Sequence, residues 1–217
     1  MLLEFEHVTG IKGEFRLQDI SFSLPAGYIM GLAGKNGAGK TTLINYIMNS
    51  KQRYTGTIFI NGVDIRENHV QMKNKIGFIS DENQFLNKRT AIQNAEILGS
   101  LYEEWDMEIF KTAMKQMGLS TGALVGKMSR GEMMRFQMAF AMAHKPVLYL
   151  LDEVTAGMDP VFRIDFFRML QEVIKTEEAS VLMTSHIQSE IGQKMDYVGI
   201  LEAGYLKAFG ESMDLVK

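Results

Sequence analysis

A glycine-rich segment near the start of the chain carries residue types that bind phosphate. Residues 34–42 read GKNGAGKTT and match the pattern G-x-x-x-x-G-K-[ST], whose backbone N–H groups can curl around phosphate oxygens. The run YIMGLA before the segment predicts a strand and TTLINYIM after it predicts a helix, which is the context that the pattern requires. A glycine-rich turn with a chance lysine would not account for that context. We expect Lys40 to contact the β- and γ-phosphates of a nucleoside triphosphate and Thr41 to offer its hydroxyl to Mg²⁺. The residues predicted to surround the phosphates are Asn36, Gly37, Ala38, Gly39, Lys40, Thr41 and Thr42.

A second segment supplies two adjacent carboxylates. Residues 147–153 read VLYLLDE, an apolar run typical of a buried strand, and they end in Asp152 and Glu153. Nucleotides bind at the C-terminal edge of the sheet in α/β folds, so we expect Asp152 to hold Mg²⁺ and Glu153 to polarise an attacking water as general base. The alternative is a strand that simply ends in a charged turn. The phosphate-binding pattern in the same chain argues against that alternative.

The segment KMSRGEMMR, residues 127–135, has two explanations that the residues alone leave open. Ser129 is a good N-cap and Glu132, three residues later, completes a capping box, so the segment is explained as a helix start. Arg130 and Gly131 lie where the first backbone N–H groups of that helix would be most exposed, and an anion could bind the same helix terminus.

Two further polar positions follow apolar segments. Residues 156–160 read AGMDP, in which Asp159 can cap a helix that has Pro160 at its first position. His186 follows the apolar run SVLMTS and can donate a hydrogen bond to a γ-phosphate. A single histidine after a strand is weak evidence, and its neighbours in the chain give it weight.

The composition excludes several classes of protein. The chain has 217 residues, 46% hydrophobic and 23% charged, which suits one domain with a full core. The net charge of −3 gives no basic stripe for nucleic acid, and the absence of cysteine excludes a disulfide scaffold. No signal peptide and no apolar run of about 20 residues is visible, so we expect no membrane span.

The periodicity predicts an α/β fold with a helical insert. The first thirty or so residues alternate like strands, and residues 56–65 predict a hairpin that turns at Asn61-Gly62. Helical periodicity runs from about residue 90 to 143, and then strands alternate with helices, one at 160–175 and one from Ile187, up to a last hairpin at EAGY. We therefore predict a P-loop NTPase core with an N-terminal antiparallel β subdomain and an inserted α-helical subdomain. The predicted boundaries within the single domain 1–217 are 1–80 and 146–217 for the catalytic lobe and 81–145 for the insert.

The motifs together resemble a known family. In chain order they are the phosphate loop, a helical stretch, MSRGE, VLYLLDE, AGMDP and TSH, and over essentially the whole chain this order resembles the ATP-binding subunits of ABC transporters. The resemblance implies that two subunits bind head-to-tail around two ATP molecules, with the helix start at MSRGE facing the γ-phosphate held by the other subunit. The family signature usually reads L-S-G-G-Q, and the arginine in this chain resembles bacterial exporters of the antibiotic-efflux kind. The residues so assigned are Ser129, Arg130, Gly131 and Glu132, with Asp159 at the dimer interface.

The resemblance also assigns roles to four positions outside the signature. After the strand IGFIS the family has a glutamine that contacts Mg²⁺, and this chain has Asp81 at that position. The predicted metal residues are therefore Thr41, Asp152 and Asp81. The adenine-stacking aromatic of the family aligns with Lys12, and we expect the nearest aromatic, Phe15, to contact the base. The resemblance implies that His186 binds the γ-phosphate and shares the catalytic role with Glu153.

These assignments predict an ATPase that powers transport. We expect the chain to require ATP and Mg²⁺, to act with a second ATPase subunit as a homo- or heterodimer, and to drive export through a separate transmembrane permease from the cytoplasmic face of the membrane. No nucleic-acid partner is expected.

One alternative is a soluble, non-transport ABC ATPase acting on ribosomes or DNA, although such proteins usually join two domains or insert long coiled coils. A small-molecule kinase is disfavoured by MSRGE and TSH, and a non-hydrolysing regulatory subunit is disfavoured by Glu153 and His186.

Overall fold

Two β-sheets and the helices around them make up the structure, which is a computed structural model. It describes residues 1–12, 15–48, 53–155, 158–177, 179–185 and 194–215. The strands in these ranges are β1 (Leu3–Lys12), β2 (Phe15–Leu24), β3 (Ile29–Ala33), β4 (Tyr54–Ile60), β5 (Val63–Asp64), β6 (Ile76–Ser80), β7 (Leu148–Asp152), β8 (Ser180–Ser185), β9 (Tyr197–Glu202) and β10 (Tyr205–Glu211). The helices are α1 (Lys40–Met48), α2 (His69–Asn74), α3 (Ala91–Gly99), α4 (Met107–Gln116), α5 (Arg130–Met142), α6 (Pro160–Glu177) and α7 (Ser212–Leu215), with a 3₁₀ turn at Val125–Lys127.

The smaller sheet is antiparallel, with the strand order β2-β1-β4-β5. The β4–β5 hairpin turns at Asn61 and Gly62, whose φ values are +50° and +73°. A two-residue turn with both φ values positive is the type I′ geometry that Asn-Gly favours, so the predicted hairpin is confirmed. The predicted N-terminal antiparallel subdomain is this sheet.

The larger sheet has the order β10-β9-β3-β8-β7-β6, in which only β10 runs antiparallel to its neighbour. Every residue of β3 and β8 is buried, as expected for parallel strands covered on both faces. Helix α1 and the smaller sheet cover one face, and α5 and α6 cover the other. Parallel strands end at one edge, and there Ser80 pairs with Asp152 and Ala33 with Ser185. This edge carries the predicted site.

The helices between β6 and β7 have an aromatic core of their own. Phe110, Phe136 and Phe140 are buried together with residues of α3 and α4. The Gln137 side chain joins α5 to the larger sheet, because it donates to Ser80 O and accepts from Ser80 N, both at 2.9 Å. The helical segment therefore has its own core and a buried amide link to β6.

The sequence did not predict every element. Helix α2 is short and polar, and α7 spans a single turn, so neither carries a usable periodicity. The helix predicted from Ile187 lies outside the described residues. Among the helices that the structure describes, none is both long and apolar enough to cross a bilayer.

Candidate nucleotide-binding site

The glycine-rich loop connects β3 to α1, as its pattern predicted. Gly39 has φ +113°, and a Cβ there would lie 2.7 Å from Leu17 Cδ2 and 2.8 Å from Phe15 Cζ. Both the backbone conformation and the space thus require glycine at this position. The same contact places Phe15, the aromatic predicted to meet the base, directly beside the loop.

The Lys40 ammonium lies inside this loop. Its side chain is only 3% exposed, and Nζ donates to Gly34 O at 2.8 Å and to Lys35 O at 3.2 Å. Glu153 Oε1 lies 3.4 Å from the same nitrogen. Three oxygens therefore match the three donors of the ammonium, and the loop surrounds this cation.

The Asp152 carboxylate at the end of β7 accepts two hydroxyl hydrogen bonds. Thr184 Oγ1 donates to Asp152 Oδ1 at 2.7 Å, and Thr41 Oγ1 donates to the same oxygen at 3.3 Å. A carboxylate beside a hydroxyl suits Mg²⁺, which prefers one or two protein oxygens and takes its remaining ligands from phosphates and water. No group of three or more His, Cys, Asp or Glu residues that could hold a metal occurs in the described ranges.

The backbone at Glu153 adopts a left-handed conformation that is unusual outside glycine. Its φ is +52°, and its N–H donates to Thr184 Oγ1 at 2.8 Å. The fully buried Thr184 hydroxyl thus fixes the side chain of Asp152 and the backbone of Glu153 at the same time. Sequence reasoning missed Thr184. The available signal was a threonine directly after the apolar residues of β8.

The segment at residues 127–135 begins helix α5 with the predicted capping box. Ser129 Oγ accepts from Glu132 N at 3.3 Å, and Glu132 Oε2 accepts from Ser129 N at 2.8 Å and from Ser129 Oγ at 2.7 Å. The hydrogen bonds from the Ser129 backbone and then from its hydroxyl lower the pKa of the Glu132 carboxyl. Gly131 faces open space, since a Cβ there would meet no atom within 4 Å.

Asp81 and Arg130 form an ion pair, with Arg130 Nε donating to Asp81 Oδ1 at 2.6 Å. The pair lines a cleft of about 430 Å³ beside Ser80 and Gln137. Asp81 follows the strand position that pairs with Asp152, yet its carboxylate contacts a cation of α5. The role of Asp81 toward Mg²⁺ stays a prediction.

The remaining predicted residues are placed as follows. Asp159 caps helix α6, since its Oδ1 accepts from Val161 N at 2.9 Å and from Phe162 N at 3.3 Å. This confirms the predicted cap before Pro160. His186 lies outside the described residues, and its predicted contact with the γ-phosphate stays a prediction.

Comparisons with known proteins agree with the motifs. The profile of the family described as "ABC transporter" matches residues 17–156. The ABC transporter ATP-binding protein YtrB of Bacillus subtilis is 31% identical over 192 residues, covering 88% of this chain and 65% of its own length. The bacitracin transport ATP-binding protein BcrA of Bacillus licheniformis is 33% identical over 189 residues, covering 86% of this chain and 62% of its own length. The chain thus spans somewhat less than two thirds of both relatives.

The fold also matches a solved structure described as the ATP-binding subunit of an ABC transporter. The TM-score is 0.88 at 23% identity, and the match covers 99% of this chain and 92% of that one. At this identity the likeness supports the α/β fold with its helical insert, and the family assignment rests on the profile match. The chain belongs to the ABC transporter family and carries the ATPase domain of that family.

Proposed function

We propose that this chain binds ATP together with Mg²⁺ and hydrolyses it. The observation that carries the proposal is the meeting of three charged side chains at one sheet edge. Lys40 Nζ lies 3.4 Å from Glu153, and Asp152, the residue before Glu153, shares a hydrogen bond with Thr41 next to Lys40. A buried cation, a metal-binding oxygen pair and a candidate base in this arrangement are the parts that phosphoryl transfer to water needs.

Nucleotide binding would change the partners of the Lys40 and Glu153 side chains. Phosphate oxygens would replace the carbonyl oxygens of Gly34 and Lys35 as acceptors for Lys40, so binding exchanges one set of hydrogen bonds for a charge-assisted set. The carboxylate of Glu153, relieved of Lys40, would accept a proton from the attacking water. Bound Mg²⁺ would neutralise part of the negative charge on the phosphate oxygens.

The E153Q variant tests the hydrolytic role. We expect it to bind ATP with a Kd within about twofold of the wild type while its turnover falls by at least about 100-fold, because the amide keeps the shape but cannot take a proton. D165N on α6 is a matched control, since Asp165 is an exposed carboxylate paired with Arg168 away from the loop. Turnover of E153Q close to that of the wild type would remove Glu153 from the role of base.

The proposal includes a dimer around two ATP molecules. Gly131 faces open space, and a cleft of about 300 Å³ is lined by Arg130, Gly131 and Asp159, among others. These features support a surface where the nucleotide of a second subunit could contact the start of α5. Light scattering on E153Q with ATP tests this step: a mass of two chains supports the homodimer, and a single-chain mass leaves a heterodimer with a sister subunit.

We further propose that the chain works from the cytoplasmic face of a membrane, on a separate permease, in export. The support is the ABC transporter profile, the arginine in the signature and a relative named for bacitracin transport. Affinity purification of a tagged copy from detergent-solubilised membranes would identify the partner by mass. A partner with about six apolar spans supports transport. Ribosomal or DNA-associated proteins alone would support the soluble ABC ATPase instead.

A further inference from the structure

The turn between β9 and β10 is hydrogen-bonded to the glycine-rich loop. Ala203 and Gly204 form a two-residue turn with φ values of +48° and +86°, the same type I′ geometry as the Asn61-Gly62 turn. Gly204 N donates to Ala38 O in the loop at 3.1 Å, and Gly204 O accepts from Gln18 N of β2 at 2.9 Å. The turn therefore joins the loop to the smaller sheet through two backbone hydrogen bonds.

The junction between the turn and the loop has no room for a side chain at Gly204. A Cβ there would lie 1.9 Å from Arg16 O, so the site requires glycine for space as well as for its positive φ. The end of β9 also packs against the first residue of the loop, because a Cβ on Gly34 would lie 2.5 Å from Leu201 O. The β9–β10 hairpin thus contacts the loop both at Gly34 and at Ala38.

The hydrogen bond from Gly204 fixes the direction of the next N–H group in the loop. The Ala38 carbonyl and the Gly39 N–H belong to one peptide unit, and no peptide bond among the described residues is cis. In a planar trans peptide the C=O and the N–H point in opposite directions. Because its carbonyl points at Gly204, this unit directs the Gly39 N–H away from the hairpin.

We propose that Gly204 is a positioning residue for nucleotide binding: its N–H holds the Ala38 carbonyl so that the Gly39 N–H is aimed at a phosphate oxygen. Backbone N–H groups that are already oriented bind an anion more tightly than groups that must first turn toward it, since no reorganisation is needed. Gly204 acts through the loop and does not itself touch the nucleotide. This inference rests on the proposed ATP-binding function.

The substitution G204A tests this role, with G62A as the matched control. Both glycines take the second position of a type I′ turn, so alanine is strained by a positive φ in either place. Only the Cβ of G204A clashes, since a Cβ on Gly62 would meet no atom within 4 Å. We expect G204A to raise the Kd for ATP with Mg²⁺ about tenfold, the scale of one hydrogen bond to a charged group, and G62A to keep the wild-type Kd.

An NMR measurement separates this role from a general loss of stability. Labelling alanine with ¹³C at the carbonyl and glycine with ¹⁵N selects the amides of Ala-Gly pairs, which include Gly27, Gly39 and Gly204. In the wild type we expect ATP to move the Gly39 amide proton downfield, because the N–H then donates to an anion, and to leave the Gly27 amide before β3 unchanged. In G204A at saturating ATP, the downfield movement of Gly39 should be smaller.

Three results would overturn the role of Gly204: a wild-type Kd in G204A, an equal rise of the Kd in G62A, or a Gly39 shift of wild-type size in G204A. If G204A does not fold, the wild-type spectrum decides, since a Gly39 amide that does not respond to bound ATP is not aimed at a phosphate. Failure of the wild-type chain to bind ATP at all would instead overturn the proposed function, and the inference with it.

Discussion

A single hydroxyl organises the two carboxylate residues of the site. Thr184 Oγ1 donates to the side chain of Asp152 and accepts from the backbone of Glu153, so both residues are held by one fully buried side chain. A non-glycine residue in a sparsely populated conformation costs about 1–3 kcal/mol, and the Thr184 hydrogen bond helps to hold the left-handed backbone of Glu153. The orientation of the candidate base therefore depends on the neighbouring strand.

We expect T184V to lower turnover far more than it lowers nucleotide affinity. Valine keeps the volume but leaves the Glu153 N–H without its acceptor and removes the shorter of the two hydrogen bonds to Asp152 Oδ1, so the base is no longer held in place. Misplacement of a catalytic group of this kind lowers kcat by about 10- to 100-fold. The measurement is kcat beside the Kd for ATP, with T184S as the variant that keeps the hydroxyl and should recover most of the rate. Equal kcat values in T184V and the wild type would show that Thr184 only packs.

The role of Lys40 could be predicted from the sequence, and the role of Thr184 could not. Lys40, Asp152 and Glu153 belong to contiguous motifs with a fixed local context, so they could be predicted. The role of Thr184 depends on the parallel pairing of β7 with β8, in which Leu151 lies opposite Met183. That register brings together residues about thirty positions apart, and no local pattern encodes it.

At the scale of the element, the start of α5 has the capping box that the sequence offered as one explanation, while the other explanation, an anion site, stays a prediction. The capping box satisfies the first backbone N–H groups of the helix, and Gly131 leaves the same helix turn open to solvent. Helix α3 begins with the same device, in which Thr90 and Gln93 form a capping box. The two helices thus offer a matched comparison between a cap with a proposed second role and a cap without one.

We predict that S129A and T90A lose similar stability but differ in dimerisation. Each substitution removes an N-cap oxygen, which costs about 1 kcal/mol in the free energy of unfolding measured with urea. Only S129A should also weaken ATP-driven dimerisation of an E153Q chain, because Ser129 lies at the surface proposed to meet the second nucleotide. If both variants dimerise as well as the E153Q parent, the cap at Ser129 is purely structural.

At the scale of the whole molecule, the helical segment is joined to the sheet at several points around β6. The buried amide of Gln137 holds the end of the strand, and His144 holds the segment just before it. The His144 ring is 3% exposed, stacks on Tyr102 at 4.1 Å between ring centroids, and donates from Nδ1 to Asn74 O at 3.2 Å. A neutral histidine is therefore built into the junction between the two parts of the chain.

The large-scale arrangement could be predicted where long segments carried a clear period. The insert followed from the change to helical periodicity after residue 90, and the antiparallel N-terminal sheet followed from alternation and the Asn61-Gly62 turn. The junction could not be predicted. The contact between His144 and Asn74 joins residues 70 positions apart, and only the fold brings them together.

The junction makes the stability of the molecule depend on pH. Burial, opposed in part by the hydrogen bond to Asn74, lowers the pKa of His144 from 6.5 to about 4. Well above pH 6.5 neither the folded nor the unfolded chain protonates this ring. As the pH falls toward 4, the unfolded chain binds the proton first, so the free energy of unfolding decreases by about 1.4 kcal/mol per pH unit. Between pH 7 and pH 5 the loss from this one group is about 2 kcal/mol.

Urea unfolding of the wild type and H144Q at pH 7 and pH 5 measures this contribution. Glutamine keeps a donor for Asn74 O but does not titrate, so H144Q should be less stable at pH 7 and lose about 2 kcal/mol less than the wild type on acidification. Carboxylates such as Glu132, whose lowered pKa also weakens the fold in acid, titrate equally in both chains and cancel in the comparison. Equal losses in the two chains would mean that His144 has the same pKa in the folded and the unfolded chain, so that its burial does not disfavour the proton.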